Sequence, residues 1–151
     1  MLDFLRGFRI FNGFTTEHKA FTLRHLKEIN YKKGDFIIKE GETEKSLYLL
    51  YSGTARVIKI TDEGETAELA FVNKGDYFGE FSLIDDKPRS ASVQAFDDCT
   101  AYKLSQLSYA ELCRKFPEAE ISMLKGFLID LTLKLRDTSD SVINRNYFIS
   151  I

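Results

Sequence analysis

The middle of the chain alternates between apolar and polar residues with a period of two. Side chains of a strand point to opposite faces in turn, so this alternation between Gly34 and Leu104 predicts a series of short β-strands. They are centred on Phe36/Ile38, Leu47/Leu49/Tyr51, Ala55/Val57, Ala67/Leu69/Phe71, Ala91/Val93/Ala95 and Ala101/Tyr102/Leu104. Glycine-containing turns separate them at intervals of roughly 8–12 residues, the spacing of antiparallel sandwiches and rolls. We therefore predict a mainly β fold with flanking helices, an antiparallel β-roll of the double-stranded β-helix or jelly-roll type.

Helical patterns flank the predicted strands. Before them, Thr15 provides an N-cap for a helix. The apolar side of that helix is predicted to consist of Ala20, Leu23, Leu26 and Ile29. After the strands, Ser108 and Glu111 have the spacing of a capping box, which predicts a short helix that ends at Lys115.

A longer helix is predicted to begin at Pro117, because a first helical turn does not need the N–H that proline lacks. A heptad seam follows at alternating spacings of three and four residues, at Ile121, Leu124, Leu128, Leu131, Leu135, Thr138 and Val142. Further apolar residues lie off the seam, at Met123, Phe127 and Leu133. Two faces of the helix therefore have apolar residues, and we predict that the seam forms a homodimer. The alternative is that the seam packs on the roll.

The composition fits one domain with one hydrophobic core. The chain has 151 residues, of which 44% are hydrophobic and 29% are charged. We divide it into an N-terminal arm (1–14), a β-roll with flanking helices (15–115) and a long C-terminal helix with a tail (116–151). The net charge of −2 argues against non-specific binding to nucleic acid or to an anionic membrane, since both need a basic excess.

The cysteines and the apolar runs bear on the location of the protein. Cys99 and Cys113 are too few for a disulfide framework and lack metal-ligand spacing, which favours a reduced, cytoplasmic protein. No apolar run approaches the roughly 20 residues that span a bilayer. We therefore expect no membrane partner.

The most informative segment is 78–93, which interrupts the strand pattern and reads Phe-Gly-Glu-Phe-Ser-Leu-Ile-Asp-Asp-Lys-Pro-Arg-Ser-Ala-Ser-Val. Gly79 permits a close backbone approach, and residues 81–84 can form a helical turn whose free N–H groups bind an anion. Arg89 can donate hydrogen bonds to phosphate oxygens, whereas Glu80 can accept them from sugar hydroxyls. Together they predict a phosphosugar ligand. A surface ion pair between Glu80 and Arg89 is the alternative.

This segment resembles the phosphate-binding cassette of the cyclic nucleotide-binding domain family: Phe-Gly-Glu, apolar residues, then Pro-Arg-Ser/Thr/Ala-Ala. Turns at 33–35, 40–42, 52–53 and 73–76 also fall where the β-roll turns of the family fall, so the resemblance covers roughly residues 11–143. It implies that Glu80 binds the ribose 2′-hydroxyl and Arg89 the cyclic phosphate. Further implied ligand contacts are Gly79, Phe81, Ser82, Ser90 and Ala91 in the cassette, and Val57, Leu69 and Ala70 on the pocket wall. Strand alternation alone would also place apolar residues at the last three.

Residues 134–142 are similar to the central helix of the bacterial catabolite activators in this family. By that resemblance Thr138 and Ser139 reach the purine, with Ser139 supplied by the partner subunit of a dimer. Otherwise Thr138 is a polar seam residue that fixes the helix register and Ser139 is a solvated position. Ser90 does not decide the base, because its hydroxyl can both donate and accept. Thr138 and Ser139 suit the adenine amino edge, so we expect cAMP to bind somewhat more tightly than cGMP.

The resemblance implies a non-enzymatic, stand-alone sensor of cAMP or cGMP that needs no metal or cofactor and signals by moving its C-terminal helix. Only residues 144–151 follow that helix pattern, so we expect no winged helix-turn-helix, no DNA binding and an unidentified effector protein as partner. The alternatives are a ligand-free scaffolding module and the ligand-binding fragment of a larger transcription factor. A metalloenzyme on a β-roll would need clustered histidines, and the chain has only His18 and His25.

Overall fold

The computed structural model describes residues 2–149, and the side chains of residues 3–140. Eight strands form its centre: β1 (Lys27–Tyr31), β2 (Phe36–Ile38), β3 (Ser46–Ser52), β4 (Ala55–Ile60), β5 (Thr66–Val72), β6 (Tyr77–Phe78), β7 (Ser92–Ala95) and β8 (Cys99–Ser105). They pair antiparallel in two sheets, with the order β1-β8-β3-β6 in sheet 1 and β2-β7-β4-β5 in sheet 2. The predicted antiparallel roll is confirmed.

Helices flank this roll. They are α1 (Leu2–Leu5), a 3₁₀ turn (Arg9–Phe11), α2 (Thr16–His25), α3 (Phe81–Asp85), α4 (Gln106–Lys115) and α5 (Pro117–Ile149). Thr15 caps α2 as predicted, because its hydroxyl accepts a hydrogen bond from the His18 N–H at 3.2 Å. The predicted cap of α4 is wrong, since Ser105 rather than Ser108 is the N-cap residue and accepts the Ser108 N–H at 3.2 Å.

The predicted apolar side of the first long helix is also wrong. Helix α2 ends at His25, and Ile29 lies in β1, which pairs with β8 along its whole length. The buried residues of α2 are instead His18, Phe21 and Thr22. The helical spacing continued into a segment whose conformation is decided by its distant strand partner, a contact that the local pattern does not contain.

Strand β3 of sheet 1 is buried on both of its faces. Five consecutive residues of β3, from Ser46 to Leu50, are buried. Leu47 and Leu49 pack in a cluster with the helices, whereas Tyr48 and Leu50 face sheet 2. The helix-side cluster contains Leu5, Phe8, Ile10, Phe11, Phe14, Phe21, Leu104, Leu112, Phe116, Ala119, Met123 and Phe127. Burial of this large apolar area is the main stabilising contribution to the fold.

Helix α5 packs on the roll by one face and leaves the heptad seam on the other. Met123 and Phe127 are buried. The seam residues Ile121, Leu124, Leu128, Leu131 and Leu135 are 39–63% exposed. The seam therefore does not pack on the roll, while the side chain of its predicted member Val142 lies outside the described residues. Leu133, the third apolar residue off the seam, is half-exposed.

Close contact between α5 and the N-terminal segment depends on a glycine. A Cβ atom at Gly126 would lie 3.0 Å from the Cα atom of Ile10, closer than almost all contacts of real Cβ atoms. The 3₁₀ turn is thus pressed against the first half of α5. Within residues 2–149, no helix is both long and apolar enough to cross a lipid bilayer.

We expect Met123→Ala to lower the free energy of unfolding by about 2–5 kcal/mol, because it leaves a cavity between α5 and sheet 1. Met123 is 0% exposed. The matched control is Ile129→Ala, on the exposed face of the same helix, which should cost under about 1 kcal/mol. Chemical denaturation followed by circular dichroism measures both, and equal costs would contradict the packing described for α5.

Candidate functional site

A cavity of about 880 Å³ lies between sheet 2, the cassette and α5. This volume is in the range of small-molecule sites. Cassette residues on its walls include Gly79, Glu80, Phe81, Ser82, Arg89, Ser90 and Ala91. Sheet 2 contributes Val57, Ala70 and Val93, and α5 contributes Asp130, Leu133, Lys134 and Asp137.

The backbone of the cassette makes two turns that its residue types allow. Gly79 has a φ of +87°, and a Cβ atom there would lie 2.6 Å from the Ser46 carbonyl oxygen and 2.9 Å from Arg89 Nη1. Only glycine lets the chain pass so close to both groups. The short helix α3 then ends at Asp85, and the next residue, Asp86, has a φ of 58° and pairs with Lys45.

Arg89 is the central group of the site and is buried, with 6% of its surface exposed. Its Nη1 donates to the Gly79 carbonyl oxygen at 2.7 Å, and its Nη2 donates to the Ser46 carbonyl oxygen at 3.0 Å. Nη2 also lies 3.3 Å from Glu44 Oε2. The buried Nε has no hydrogen-bond partner. A buried donor without a partner costs free energy, so a hydrogen-bond acceptor at Nε would stabilise the site.

Glu44 connects Arg89 with Lys103 of β8. Its Oε1 lies 2.8 Å from Lys103 Nζ, and it also accepts a hydrogen bond from the Ser46 hydroxyl. Burial acts to raise the pKa of Glu44, but these hydrogen bonds outweigh it and hold that pKa below its usual value. The buried Arg89 thus pairs with the half-exposed Glu44, and the ion pair between Glu80 and Arg89 considered as an alternative is not formed.

Glu80 lies at the start of α3 and faces the same cavity. Burial raises its pKa, and the charge of Asp130 adds to this effect, while Lys134 and Arg89 oppose it. A carboxylate in such a place gains from a hydroxyl donor that replaces lost water.

Asp130 fastens α5 to the strand that leads into the cassette. Its Oδ2 accepts a hydrogen bond from the Tyr77 hydroxyl at 2.6 Å, and its Oδ1 lies 3.1 Å from Arg9 Nη1. Burial, followed by the bond to Asp130, raises the pKa of Tyr77 far above its usual range, so the phenol remains a donor. One residue of α5 therefore contacts both β6 and the 3₁₀ turn.

Most predicted site residues are brought together, and three are not. Leu69 is 57% exposed and does not line the cavity, because a bulge between Val57 and Ile58 leaves it without a partner in β4. Thr138 is exposed and its hydroxyl donates to the Lys134 carbonyl oxygen at 2.9 Å. Ser139 is exposed and lines a separate surface hollow on α5. The expected contacts of these three are not made within the single chain.

The predicted set also lacked several residues that the structure places at the site. Glu44, Tyr77, Asp130 and Lys134 come from a loop, a two-residue strand and a helix that are distant in sequence. No local motif marks them. The only available signal was the position of Asp130 and Lys134, one helical turn apart on the long helix.

A smaller apolar groove of about 360 Å³ adjoins the cavity between α3 and α5. Apolar side chains on its walls are Phe81, Ile84, Leu124, Phe127, Leu128 and Leu131. It shares Glu80, Asp130 and Lys134 with the larger cavity. Residues of the cavity wall therefore lie beside the seam of α5.

The two histidines do not line the cavity. His18 is buried with its Nε2 3.0 Å from Glu118 Oε1, and His25 Nδ1 lies 2.7 Å from the Phe21 carbonyl oxygen. Among the residues that the structure describes, no three His, Cys, Asp or Glu side chains are grouped to hold a metal ion. Cys99 and Cys113 are free thiols.

Comparison with known proteins identifies the fold and its relatives. The family profile described as cyclic nucleotide-binding domain matches residues 28–116. The cAMP-dependent protein kinase regulatory subunit of Blastocladiella emersonii is 36% identical over 87 residues, 58% of this chain and 22% of that protein. The cyclic AMP receptor protein of Thermus thermophilus is 32% identical over 113 residues, 75% of this chain and 52% of that protein. The chain thus spans at most about half the length of these relatives.

Solved structures agree. The catabolite activator protein of Thermus thermophilus superposes with a TM-score of 0.75 at 28% identity, covering 89% of this chain and 61% of that one. The regulatory domain of Toxoplasma gondii PKA, crystallised with cAMP, superposes with a TM-score of 0.69 at 28% identity, covering 74% and 43%. The profile match includes the whole cassette and strands β2 to β8. The chain therefore belongs to the cyclic nucleotide-binding domain family.

Proposed function

We propose that this chain is a non-enzymatic regulatory module that binds cAMP in the large cavity and signals through α5. The observation that carries the proposal is Arg89, which is buried, lines the cavity that also contains Glu80, and has an Nε donor without a hydrogen-bond partner. A guanidinium donates charge-assisted hydrogen bonds to phosphate oxygens. The relatives named for cAMP support the same ligand.

The charges of the cavity favour a cyclic monophosphate. A cyclic phosphate diester carries one negative charge, which Arg89, the one buried lysine or arginine among residues 3–140, matches. The sequence has no glycine-rich loop ending in Lys-Ser/Thr, the signature of a nucleoside triphosphate site. The carboxylate of Glu80 provides the acceptor for the ribose 2′-hydroxyl.

The base end of the cavity lies against α5, where Leu133, Lys134 and Asp137 form the wall. Ser90 lies at the opposite, cassette side and is exposed. We assign Thr138 and Ser139 to the purine of a neighbouring subunit, because neither lines the cavity of its own chain. Donors and acceptors of these hydroxyls suit the adenine amino edge, so cAMP is the preferred ligand and cGMP the alternative.

Movement of α5 is the proposed output. Asp130 and Lys134 line both the ligand cavity and the apolar groove, so a ligand bound at Glu80 changes the surroundings of α5 directly. The exposed seam of α5 is the surface through which we propose that two copies form a homodimer. The proposal includes an effector protein that binds according to the position of α5. It also includes a cytoplasmic location, which the free thiols favour.

Arg89→Ala is expected to weaken cAMP binding about ten- to a hundredfold, because a charged hydrogen bond contributes roughly 1.5–3 kcal/mol. Isothermal titration calorimetry with cAMP and cGMP measures the loss. The control is Arg56→Ala, an arginine of sheet 2 that bonds to Gln94 and does not line the cavity.

A folded Arg89→Ala protein with unchanged affinity would contradict the assigned phosphate site. Absence of binding of both nucleotides to the unmodified protein at millimolar concentration would favour the ligand-free scaffold.

Glu80→Gln is expected to weaken cAMP about tenfold and to leave 2′-deoxy-cAMP unaffected, since the lost acceptor serves the 2′-hydroxyl. Burial raises the pKa of Glu80, so in the unmodified protein cAMP affinity should fall as the pH is lowered through that pKa. The fall reflects loss of the ionised acceptor. It should be absent for 2′-deoxy-cAMP and in the Glu80→Gln protein. Parallel pH profiles for the two ligands would remove Glu80 from this role.

Leu128→Glu is expected to raise the dissociation constant of the homodimer at least about tenfold, because it buries a charge in the seam. Light scattering coupled to size-exclusion chromatography, over a dilution series, measures the mass. Ile129→Glu, exposed beside the seam, is the control and should leave the dimer intact. An unmodified protein that is monomeric at every concentration would exclude the dimer.

A further inference from the structure

Lys103 lies on β8 in sheet 1, away from the cassette, yet contacts the network of Arg89. Its side chain is 25% exposed, and its Nζ lies 2.8 Å from Glu44 Oε1. The other oxygen of Glu44 lies 3.3 Å from Arg89 Nη2. Glu44 is therefore shared between two cations, one of which faces the ligand cavity.

The position of Lys103 is fixed by the fold. Lys103 pairs with Tyr48 across β3 and β8, and its Nζ lies 5.7 Å from the centre of the Tyr48 ring. That ring stacks on Phe78, the residue before Gly79, with centroids 5.2 Å apart. A cation over an aromatic face is attracted by the ring. Lys103 is thus held against β3, the strand that lies between β8 and the strand β6 that leads into the cassette.

The charges explain why such a cation matters for an anionic ligand. A carboxylate at hydrogen-bond distance from Arg89 competes with a phosphate for the same guanidinium. With Lys103 present, the three groups carry a net charge of +1. Without Lys103 the net charge is zero, and the carboxylate of Glu44 has Arg89 as its one cationic partner among the ion pairs of the described residues.

We propose that Lys103 is a positioning residue for phosphate recognition: it holds the Glu44 carboxylate and thereby keeps Arg89 available to the ligand. This inference rests on the proposed function, because it requires that Arg89 binds the cyclic phosphate. Lys103 does not line the cavity and acts through Glu44.

A double-mutant cycle tests the proposal by calorimetric titration with cAMP. Lys103→Met, which keeps the aliphatic stem over Tyr48, should weaken binding about five- to tenfold. In a Glu44→Gln protein, which no longer has the competing charge, the same substitution should change affinity less than twofold. Lys103→Arg keeps the positive charge, so its affinity for cAMP should stay within about twofold of that of the unmodified protein. Lys27→Met, the neighbour of Lys103 on β1, is the control and should have no effect.

The pH dependence gives a second readout, measured with 2′-deoxy-cAMP so that Glu80 does not contribute. Lys103 helps to hold the pKa of Glu44 low. In Lys103→Met, protonation of Glu44 on acidification removes the competitor, so the loss of affinity should shrink as the pH falls. The Glu44→Gln/Lys103→Met protein should show no such recovery.

The outcomes separate this inference from the proposed function. If the unmodified protein binds no cyclic nucleotide, the proposed function fails. If it binds but Lys103→Met costs nothing, or costs as much with Gln at position 44 as with Glu, the positioning role is overturned. Lys103→Gln, which retains a donor without charge, is a second variant with the same expected loss should Lys103→Met melt below the titration temperature.

Discussion

The burial of one guanidinium, that of Arg89, is the constraint on which the site depends. An arginine cannot lose its charge in a protein, so a buried one must be surrounded by acceptors. Here two carbonyl oxygens and one carboxylate supply them, from β3, the cassette and the loop before β3. The fold must therefore bring three segments to one point, and it does so while the Nε donor stays without a partner.

Sheet 1 and the glycine of the cassette make that arrangement of acceptors possible. Ser46 is the first residue of β3, which is buried on both faces, and its carbonyl oxygen accepts a hydrogen bond from Arg89 of the cassette. Gly79 can approach it because it has no Cβ atom. The same arrangement places Glu80, the next residue, at the cavity with a raised pKa. In the proposed function, ribose and phosphate recognition are thus two results of one local backbone path.

The sequence predicts this path well because it is local. The cassette residues are contiguous, and their types alone indicate an anion beside a hydroxyl. Most strands are predictable for the same reason, through alternation within a few residues. Glu44, Lys103 and Asp130 could not be found, since each acts through a partner 45 or more residues away. The failed assignment of Ile29 to a helix has the same cause, because the partner of β1 is β8.

Gly126 is the point about which α5 would tilt as a rigid helix. The 3₁₀ turn packs against the helix at this glycine, and one turn later Asp130 accepts a hydrogen bond from Tyr77 of β6. From Gly126 to Ile149 the helix extends about 35 Å, at a rise of about 1.5 Å per residue. A tilt of about 10° at this fulcrum would move the distant end by about 6 Å, roughly one helical pitch. The same tilt would move Asp130, about 6 Å from the fulcrum, by about 1 Å, so an adjustment of about 1 Å at the cavity would suffice for a displacement that a partner protein can read.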